Sequence, residues 1–356
     1  MNVPKLRFKE FTDSYKKMKY KDVLKIKSGK DQKRIECKNG KYPILGTGGK
    51  IGTTNMFLYN KPSVLIGRKG TINKPQYMET PFWTVDTLFY SQIYKPNIPK
   101  YLFYSFQNVN WQKYDESTGV PSLSSSTIES VECFVPSIDE QIKVSNFLSL
   151  LDKKIELQTK KIEALKLFKK GLIVQTKSDT TQWSTIKIGN IFHSTRGVVI
   201  SKSNISSKKE NNFLYPVYSS QTSNNGILGY DKTYDFNGKY LTWTTDGANA
   251  GKVFYRKGKF RCTNVCGILF NDNDKYINKL MAELLNLETP KYVSYVGNPK
   301  LMNNIMENIT MKIPPLKKQI FISNFLEVID NKIELEISIL SNLKHLKKGL
   351  LQNMFV

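Results

Sequence analysis

The chain has 356 residues, enough for two globular domains that each bury a core. Its 54 Lys and Arg outnumber 30 Asp and Glu, and both halves are basic, with 31 against 16 in residues 1–178 and 23 against 14 in 179–356. This surplus favours a polyanionic partner, although a composition rich in ordinary solvated lysines is the alternative. No apolar run is long enough to span a bilayer and no signal peptide is evident, so we expect a soluble, cytoplasmic protein.

Few residues of the types that form disulfides or zinc sites are present. The chain has four cysteines and two histidines, too few for a disulfide framework. Cys262 and Cys266 are spaced like partial metal ligands, but no second pair or nearby histidine completes a tetrahedral set. We interpret both as core cysteines.

The first predicted domain covers residues 1–138. Short β-branched and aromatic runs at 63–67 and 83–90 predict strands, and 99–109 predicts a short helix. The glycine-rich stretch 46–54 lacks the GxxxxGK[ST] pattern of a phosphate-binding loop and is interpreted as an ordinary loop. These features predict an α+β domain with a twisted, mostly irregular sheet.

The next segment, 139–175, predicts one long helix. It follows Pro136, and we expect it to end at Gly171 after a lysine-rich turn. Its apolar residues recur at heptad a and d positions: Leu148, Leu151, Ile155, Ile162, Leu165 and Leu172.

The second predicted domain, 176–316, resembles the first in character. Runs at 239–245 and 265–270 predict strands, and 275–287 predicts a short helix. Residues 246–253 are glycine-rich but again lack the phosphate-loop pattern.

The last segment, 317–356, repeats the earlier helix. Residues 319–350 match 141–172 at a constant shift of 178, with 17 of 32 positions identical. Its expected end is Gly349, and its heptad positions hold Leu326, Ile329, Ile333, Leu340, Leu343 and Leu350. Polar residues interrupt both seams at equivalent places, Gln158 with Glu336 and Lys169 with Lys347.

Two helices of this length and pattern bury their seams most simply against each other. We therefore expect an antiparallel coiled coil, a rod of roughly 50 Å that joins two α+β domains in a pseudo-two-fold internal repeat. Two ordinary core helices in separate domains are the alternative.

The repeat also extends upstream of the helices and limits the chemistry. Residues 119–123 match 297–301, and with small gaps Gly70 matches Gly247 and Phe82 matches Phe260. The acidic pair Asp139-Glu140 is replaced by lysines 317 and 318 in the second copy, which argues against a duplicated nuclease site. With no adenine-methylating Asn-Pro-Pro-aromatic motif either, we predict that this chain alone is not an enzyme.

The twice-occurring helix motif, PSIDEQIKVSNFLSLLDKKIEL (136–157) and PPLKKQIFISNFLEVIDNKIEL (314–335), resembles the specificity subunits of type I restriction-modification systems. The GxPxL turns and the opening PKLRFKEF (4–11) support the resemblance, and the lysines 317 and 318 depart from the usual acidic pair. The resemblance implies a DNA-recognition subunit in which each variable domain reads one half-site of double-stranded DNA. It also implies that the faces of 141–172 and 319–350 dock two methylating subunits, with motor-nuclease subunits as further partners. S-adenosylmethionine, ATP and magnesium would bind in those partners and not in this chain.

Base reading needs Arg or Lys for guanine, Asn or Gln for adenine, and Ser or Thr for either, presented from loops. The predicted DNA-binding residues lie in matched turns of the two variable domains: Arg68, Lys69, Thr71 and Lys74, then Thr244, Thr245, Asp246 and Asn249, with Lys50, Ser220 and Gln221 in neighbouring loops. Gly119, Pro121 and Leu123 and their counterparts are interpreted as structural, because they recur while their surroundings vary.

Two other functions are open. A coiled-coil scaffold or adaptor without specific DNA binding leaves the basic, divergent domains unexplained. An enzyme of unrecognised type, with a cleft in the variable domains, is disfavoured by the missing motifs.

Overall fold

The computed structural model describes residues 2–178 and 182–356. The chain divides into two compact units: unit 1 is Met1–Thr159 with Ser338–Val356, and unit 2 is Lys160–Ile337. The division into segments ending at 138, 175 and 316 stays a prediction, and residues 179–181 of the predicted second domain lie outside the described residues. Within the described ranges, no helix is long and apolar enough to cross a lipid bilayer.

Unit 1 is built on three small sheets. Its strands are β1 (Lys16–Lys19), β2 (Leu24–Lys27), β3 (Tyr42–Gly46), β4 (Gly49–Thr54), β5 (Ser63–Gly67), β6 (Gln76–Met78), β7 (Trp83–Thr84), β8 (Leu88–Ile93) and β9 (Glu132–Val135). The sheet orders are β2-β8-β5-β6, β4-β3-β7 and β1-β9, and all pairings are antiparallel except β3 with β7. The predicted strand at 63–67 is confirmed, and all its residues are buried. The run 83–90 is split into two strands, because Leu88 N donates to Val85 O (3.0 Å) and closes a turn between them.

The core of unit 1 is aromatic. Helix α1 (Pro99–Asn108), which confirms the prediction for 99–109, and helix α2 (Ser125–Ser130) cover the sheets. The largest buried side chains of this core are Tyr20, Tyr101, Tyr104, Phe106 and Trp111. Phe355, near the end of the chain, packs on Tyr101 with ring centroids 5.1 Å apart. The C-terminal residues are therefore part of the core of unit 1.

Unit 2 contains one larger sheet and one two-stranded ribbon. Its strands are β10 (Ser184–Lys187), β11 (His193–Arg196), β12 (Tyr215–Tyr218), β13 (Ile227–Asp231), β14 (Phe236–Thr244), β15 (Val253–Cys262), β16 (Cys266–Phe270) and β17 (Thr310–Ile313). The six-stranded sheet has the order β11-β16-β14-β15-β12-β13, with β12 parallel to β15, and β10 pairs with β17. Both strands predicted here are confirmed, at β14 and β16.

Helices α4 (Lys279–Glu288) and α5 (Asn303–Asn308) complete unit 2. The predicted helix at 275–287 begins four residues later than expected, because Asp274 and Tyr276 have positive φ values of 54° and 70°. Asn278 then caps α4, its side-chain oxygen accepting from Met281 N at 3.0 Å.

The two long helices are α3 (Ile138–Ser178) and α6 (Leu316–Met354). Both start directly after the predicted proline turns. A recurring glutamine secures each start: Gln141 Nε2 donates to Pro136 O (3.1 Å), and Gln319 Nε2 donates to Pro314 O (2.8 Å). The glutamine thereby satisfies a backbone carbonyl in the turn that leads into each helix.

The expected helix ends at Gly171 and Gly349 are wrong, because both glycines lie inside continuous helix. Ile173 is buried in the core of unit 2, and Leu351 and Met354 are buried in the core of unit 1. Burying such a side chain contributes roughly 1.5–3 kcal/mol, whereas glycine in a helix costs about 1 kcal/mol relative to alanine. Tertiary packing therefore outweighs the local stop signal.

The twelve predicted seam residues are all buried or half-buried. Within unit 2, α3 and α6 run antiparallel, since Lys161 pairs with Glu336 (2.7 Å) and Lys169 pairs with Asp330 (2.8 Å). Within unit 1, Lys347 of α6 pairs with Asp152 of α3 (2.5 Å). The polar interruption of the seam at Lys169 and Lys347 is thus an ion pair in each unit.

Candidate nucleic-acid interface

Each unit has a turn after a strand whose last residues are buried, and the two turns have the same backbone frame. After β5, Arg68 N donates to Thr87 O (2.8 Å) and Gly70 N donates to Pro121 O (2.7 Å). After β14, Thr245 N donates to Val265 O (3.0 Å) and Gly247 N donates to Pro299 O (2.9 Å). We call residues 68–71 the first reading turn and 245–248 the second reading turn.

Glycine is required at the same place in both turns. Gly70 has φ +92° and Gly247 has φ +99°, a region that side chains with a Cβ rarely adopt. The match of these two glycines across a gapped alignment therefore reflects a shared backbone conformation.

The recurring GxPxL segments hold the reading turns. Leu123 N donates to Arg68 O and Leu301 N donates to Thr245 O, each at 2.9 Å. Leu123 is 3% and Leu301 0% exposed, so each leucine anchors its segment in the core. The structural role predicted for the GxPxL residues agrees with these hydrogen bonds to the reading turns.

The first reading turn offers cationic side chains to solvent. Arg68 and Lys69 are exposed, and Thr71 is half-buried. Lys74, which follows the turn, is exposed as well. The turn borders a cleft of about 480 Å³ whose other walls include Asp86, Thr87, Glu116, Ser122 and Ser124. Guanidinium and ammonium donors beside hydroxyl groups are suited to hydrogen bonding with base edges and phosphates.

The second reading turn offers a different set. Thr244 and Thr245 are buried at 1% and 0% exposure, so their side chains support the turn instead of facing solvent. Thr245 Oγ1 donates to Asp246 Oδ2 (2.6 Å), and Lys300 Nζ lies 4.0 Å from Asp246 Oδ1. Asp246 is half-buried and Asn249 exposed, which leaves a carboxylate and an amide as the accessible groups.

The neighbouring loops differ in how free their predicted residues are. Lys50 is exposed near the start of β4, in the hairpin that β4 forms with β3, next to Gly49 with φ +113°. Ser220 and Gln221 are half-buried, and the Gln221 amide donates to Ile227 O within its own loop. The residues predicted from the sequence do not include Lys300 or the exposed residues 294–296 in front of it. Their only signal in the sequence is that they differ from their counterparts at the shift of 178, whereas the GxPxL residues recur.

Acidic and thiol groups elsewhere have structural partners. Glu140 is 1% exposed. Its carboxylate accepts two hydrogen bonds from Arg7 (both 2.8 Å) and one from Tyr15 Oη (2.9 Å). Cys262 and Cys266 are buried among Phe260 and Ile268, which confirms them as core residues. In residues 2–178 and 182–356, no three His, Cys, Asp or Glu side chains group in a way that could hold a metal ion.

The sequence is similar to known proteins along most of its length. The model of the type I restriction modification DNA specificity domain matches it twice, at residues 12–167 and 180–345, which confirms the internal duplication. A putative type I specificity subunit N-terminus of Mycoplasma pneumoniae is 47% identical over 147 residues, covering 41% of this chain and 77% of that protein. A second putative type I specificity subunit of that organism is 34% identical over 216 residues, covering 58% and 78%.

Solved structures agree on the fold. The crystal structure of the S subunit of a type I restriction-modification system from M. genitalium has a TM-score of 0.75 at 16% identity, covering 99% of both chains. A structure reported for complex assembly and conformational transition of the type I system has a TM-score of 0.52 at 11% identity, covering 95% and 96%. With two copies of the specificity domain spanning most of its length, the chain belongs to the family of type I restriction-modification specificity subunits.

Proposed function

We propose that this chain is the non-catalytic DNA-recognition subunit of a type I restriction-modification enzyme, and that each variable domain reads one half of a bipartite DNA target. The observation that carries the proposal is the pair of reading turns. They share a backbone frame but present different side chains to solvent.

The difference between the turns suits two unlike half-sites. Arg68 and Lys69 are donors that match the O6 and N7 acceptors of guanine in the major groove. Asp246 is an acceptor that matches the N4 amino group of cytosine, and Asn249 matches adenine. A common frame with exchanged side chains is what a duplicated reader of two sequences requires.

The charge of the chain suits a DNA partner that is held mainly through its phosphates. The formal charge of +24 is spread over both halves of the sequence. Cations that neutralise phosphates release counterions, so binding should weaken steeply as salt rises. In this role the protein acts on cellular DNA in the cytoplasm.

The long helices carry apolar residues that suit protein partners. Leu150 and Leu157 on α3 are 69% and 56% exposed, and their counterparts at the shift of 178, Val328 and Leu335 on α6, are 64% and 53% exposed. Two equivalent apolar faces fit two copies of one partner, which we propose to be the methylating subunits. S-adenosylmethionine would bind in those methylating subunits, and ATP and magnesium would bind in any motor-nuclease subunits.

The test is footprinting of the full chain co-expressed with its modification subunit. We expect one continuous protected site with two sequence-specific ends, lost between about 50 and 200 mM salt. Failure to retain any DNA at low salt would contradict the proposal and leave the adaptor function.

A further inference from the structure

The loop that braces the second reading turn carries two neighbouring apolar side chains that are strongly exposed. Tyr295 is 69% exposed and Val296 is 92% exposed. Neighbouring Tyr292 is also exposed, at 38%. Neighbouring apolar groups held so far into solvent are suited to a contact with a partner.

The loop is anchored at its base. Ser294 and Lys300 exchange two backbone hydrogen bonds, each of 2.9 Å, and Gly297 reverses the chain with φ +72°. Pro299 O then accepts from Gly247 N of the second reading turn. The base of the loop is therefore held next to the second reading turn, and the tip residues 295–298 are exposed.

The charge of the loop suits a nucleic acid better than a neutral surface. Residues 291–302 contain no Asp or Glu, and the Lys300 side chain is 51% exposed. Arg196 lies against the segment that leaves the loop, its Nε donating to Asn303 Oδ1 at 2.9 Å. Lys300, whose Nζ also lies 4.0 Å from Asp246 Oδ1, stands at the base of the loop, and Arg196 contacts the segment that follows it. Cations next to a loop that carries exposed apolar side chains suit a phosphate backbone beside a base step.

The same loop in unit 1 is different. At the shift of 178, Ser117 and Thr118 replace Tyr295 and Val296. Ser117 is held by Asp115, whose Oδ1 accepts from both Ser117 N (3.0 Å) and Ser117 Oγ (2.8 Å). Val120 of the first loop is also exposed, at 56%, but small polar residues stand at the positions of Tyr295 and Val296, and no aromatic ring is presented there.

We infer that Tyr295 and Val296 form an apolar wedge that enters the base stack of the second half-site, and that the first half-site is bound without one. Apolar side chains that enter a base step unstack it, and aromatic rings stack on the exposed bases. This inference rests on the proposed DNA-reading function and adds to it a local distortion of the DNA.

The test compares the wild type with Tyr295→Ser/Val296→Thr, which gives the second loop the residues of the first. Both proteins are prepared with the modification subunit and bound to a DNA duplex that carries the sequence found to be methylated in cells. Permanganate, which oxidises thymines that are not stacked in the duplex, then detects unstacked thymines. We expect reactive thymines in the second half-site of the wild-type complex that disappear in the variant, with binding about tenfold or more weaker. The first half-site should be unchanged.

Tyr94→Ser is the matched control, because Tyr94 is also exposed, at 43%, but follows β8 in unit 1 and belongs to neither reading turn nor the segments that brace them. It should leave affinity and permanganate reactivity as in the wild type. Equal affinity and equal reactivity for the wild type and the loop variant would overturn the wedge while leaving the DNA-reading function intact. Absence of any specific DNA binding by the wild type would overturn both.

Discussion

Lys169 of α3 and Asp330 of α6 form an ion pair in unit 2 that the duplication repeats in unit 1. The distance from Lys169 Nζ to Asp330 Oδ1 is 2.8 Å, and Lys347 and Asp152, their counterparts at the shift of 178, are 2.5 Å apart. Each lysine stands at a heptad position that sequence reasoning could only describe as a polar interruption. The interruption is therefore a specific contact between the two helices, made once in each unit.

Removing the carboxylate of this pair should destabilise unit 2. Lys279 also contacts Asp330 (2.5 Å), so Asp330→Asn removes a carboxylate partner from two partly buried ammonium groups and leaves Lys169 with Glu283 (2.8 Å). We expect a loss of about 1–3 kcal/mol, between the values typical of exposed and buried pairs, measured by urea unfolding. Lys17→Ala, which breaks an ion pair whose side chains are both more than half exposed, should have no measurable effect.

The same pair predicts a fall in stability in acid. Burial alone would raise the pKa of Asp330, but hydrogen bonds from Lys169 and Lys279 outweigh it and hold the pKa below its ordinary value. A lowered folded pKa stabilises the protein above the unfolded value near 4, and that stabilisation is lost as the pH falls through the folded pKa. Urea midpoints measured from pH 6 downward should therefore fall less steeply for Asp330→Asn than for the wild type. Parallel curves would exclude this carboxylate as the cause.

Gly247→Ala tests whether the second reading turn depends on its backbone conformation. No atom lies within 4 Å of the added Cβ, so the cost is the left-handed φ alone, about 1–2 kcal/mol. We expect lower stability and weaker protection of the second half-site only. Gly171→Ala is the control, because Cβ is also unhindered there but the residue is helical; it should raise stability by up to about 1 kcal/mol.

Much of the fold could be predicted because the chain repeats itself. The shift of 178 located both helices, and their proline turns set the starts at Ile138 and Leu316. Local apolar runs located strands such as Ser63–Gly67. These features depend on nearby residues, which a sequence displays directly.

Other features depend on distant contacts and could not be predicted. Thr244 and Thr245 look like readers in the sequence, but Thr244 ends β14 and Thr245 follows it with both side chains buried, and only the next residues reach solvent. The parallel pairing of β3 with β7, and of β12 with β15, joins segments about 40 residues apart. No local pattern specifies such a pairing.

Arg68→Ala/Lys69→Ala tests whether one turn reads one half-site. Both side chains are exposed, so folding should be unaffected. Loss of a bidentate contact to guanine costs about 1–3 kcal/mol and relaxes sequence preference at the contacted position. Sequencing of methylated sites in cells should then show degeneracy in one half-site and an unchanged second half-site. Exchange of residues 1–140 with those of a relative should likewise change a single half-site.

The matched control is Lys33→Ala/Arg34→Ala, which removes the same two charges from exposed positions of the same unit outside the reading turn. Charges that only neutralise phosphates weaken binding uniformly and lower its salt dependence without changing sequence preference. If the two double variants behaved alike, Arg68 and Lys69 would contribute charge and not base reading. Degeneracy in both half-sites after the change at 68 and 69 would instead mean that the two domains do not read independently.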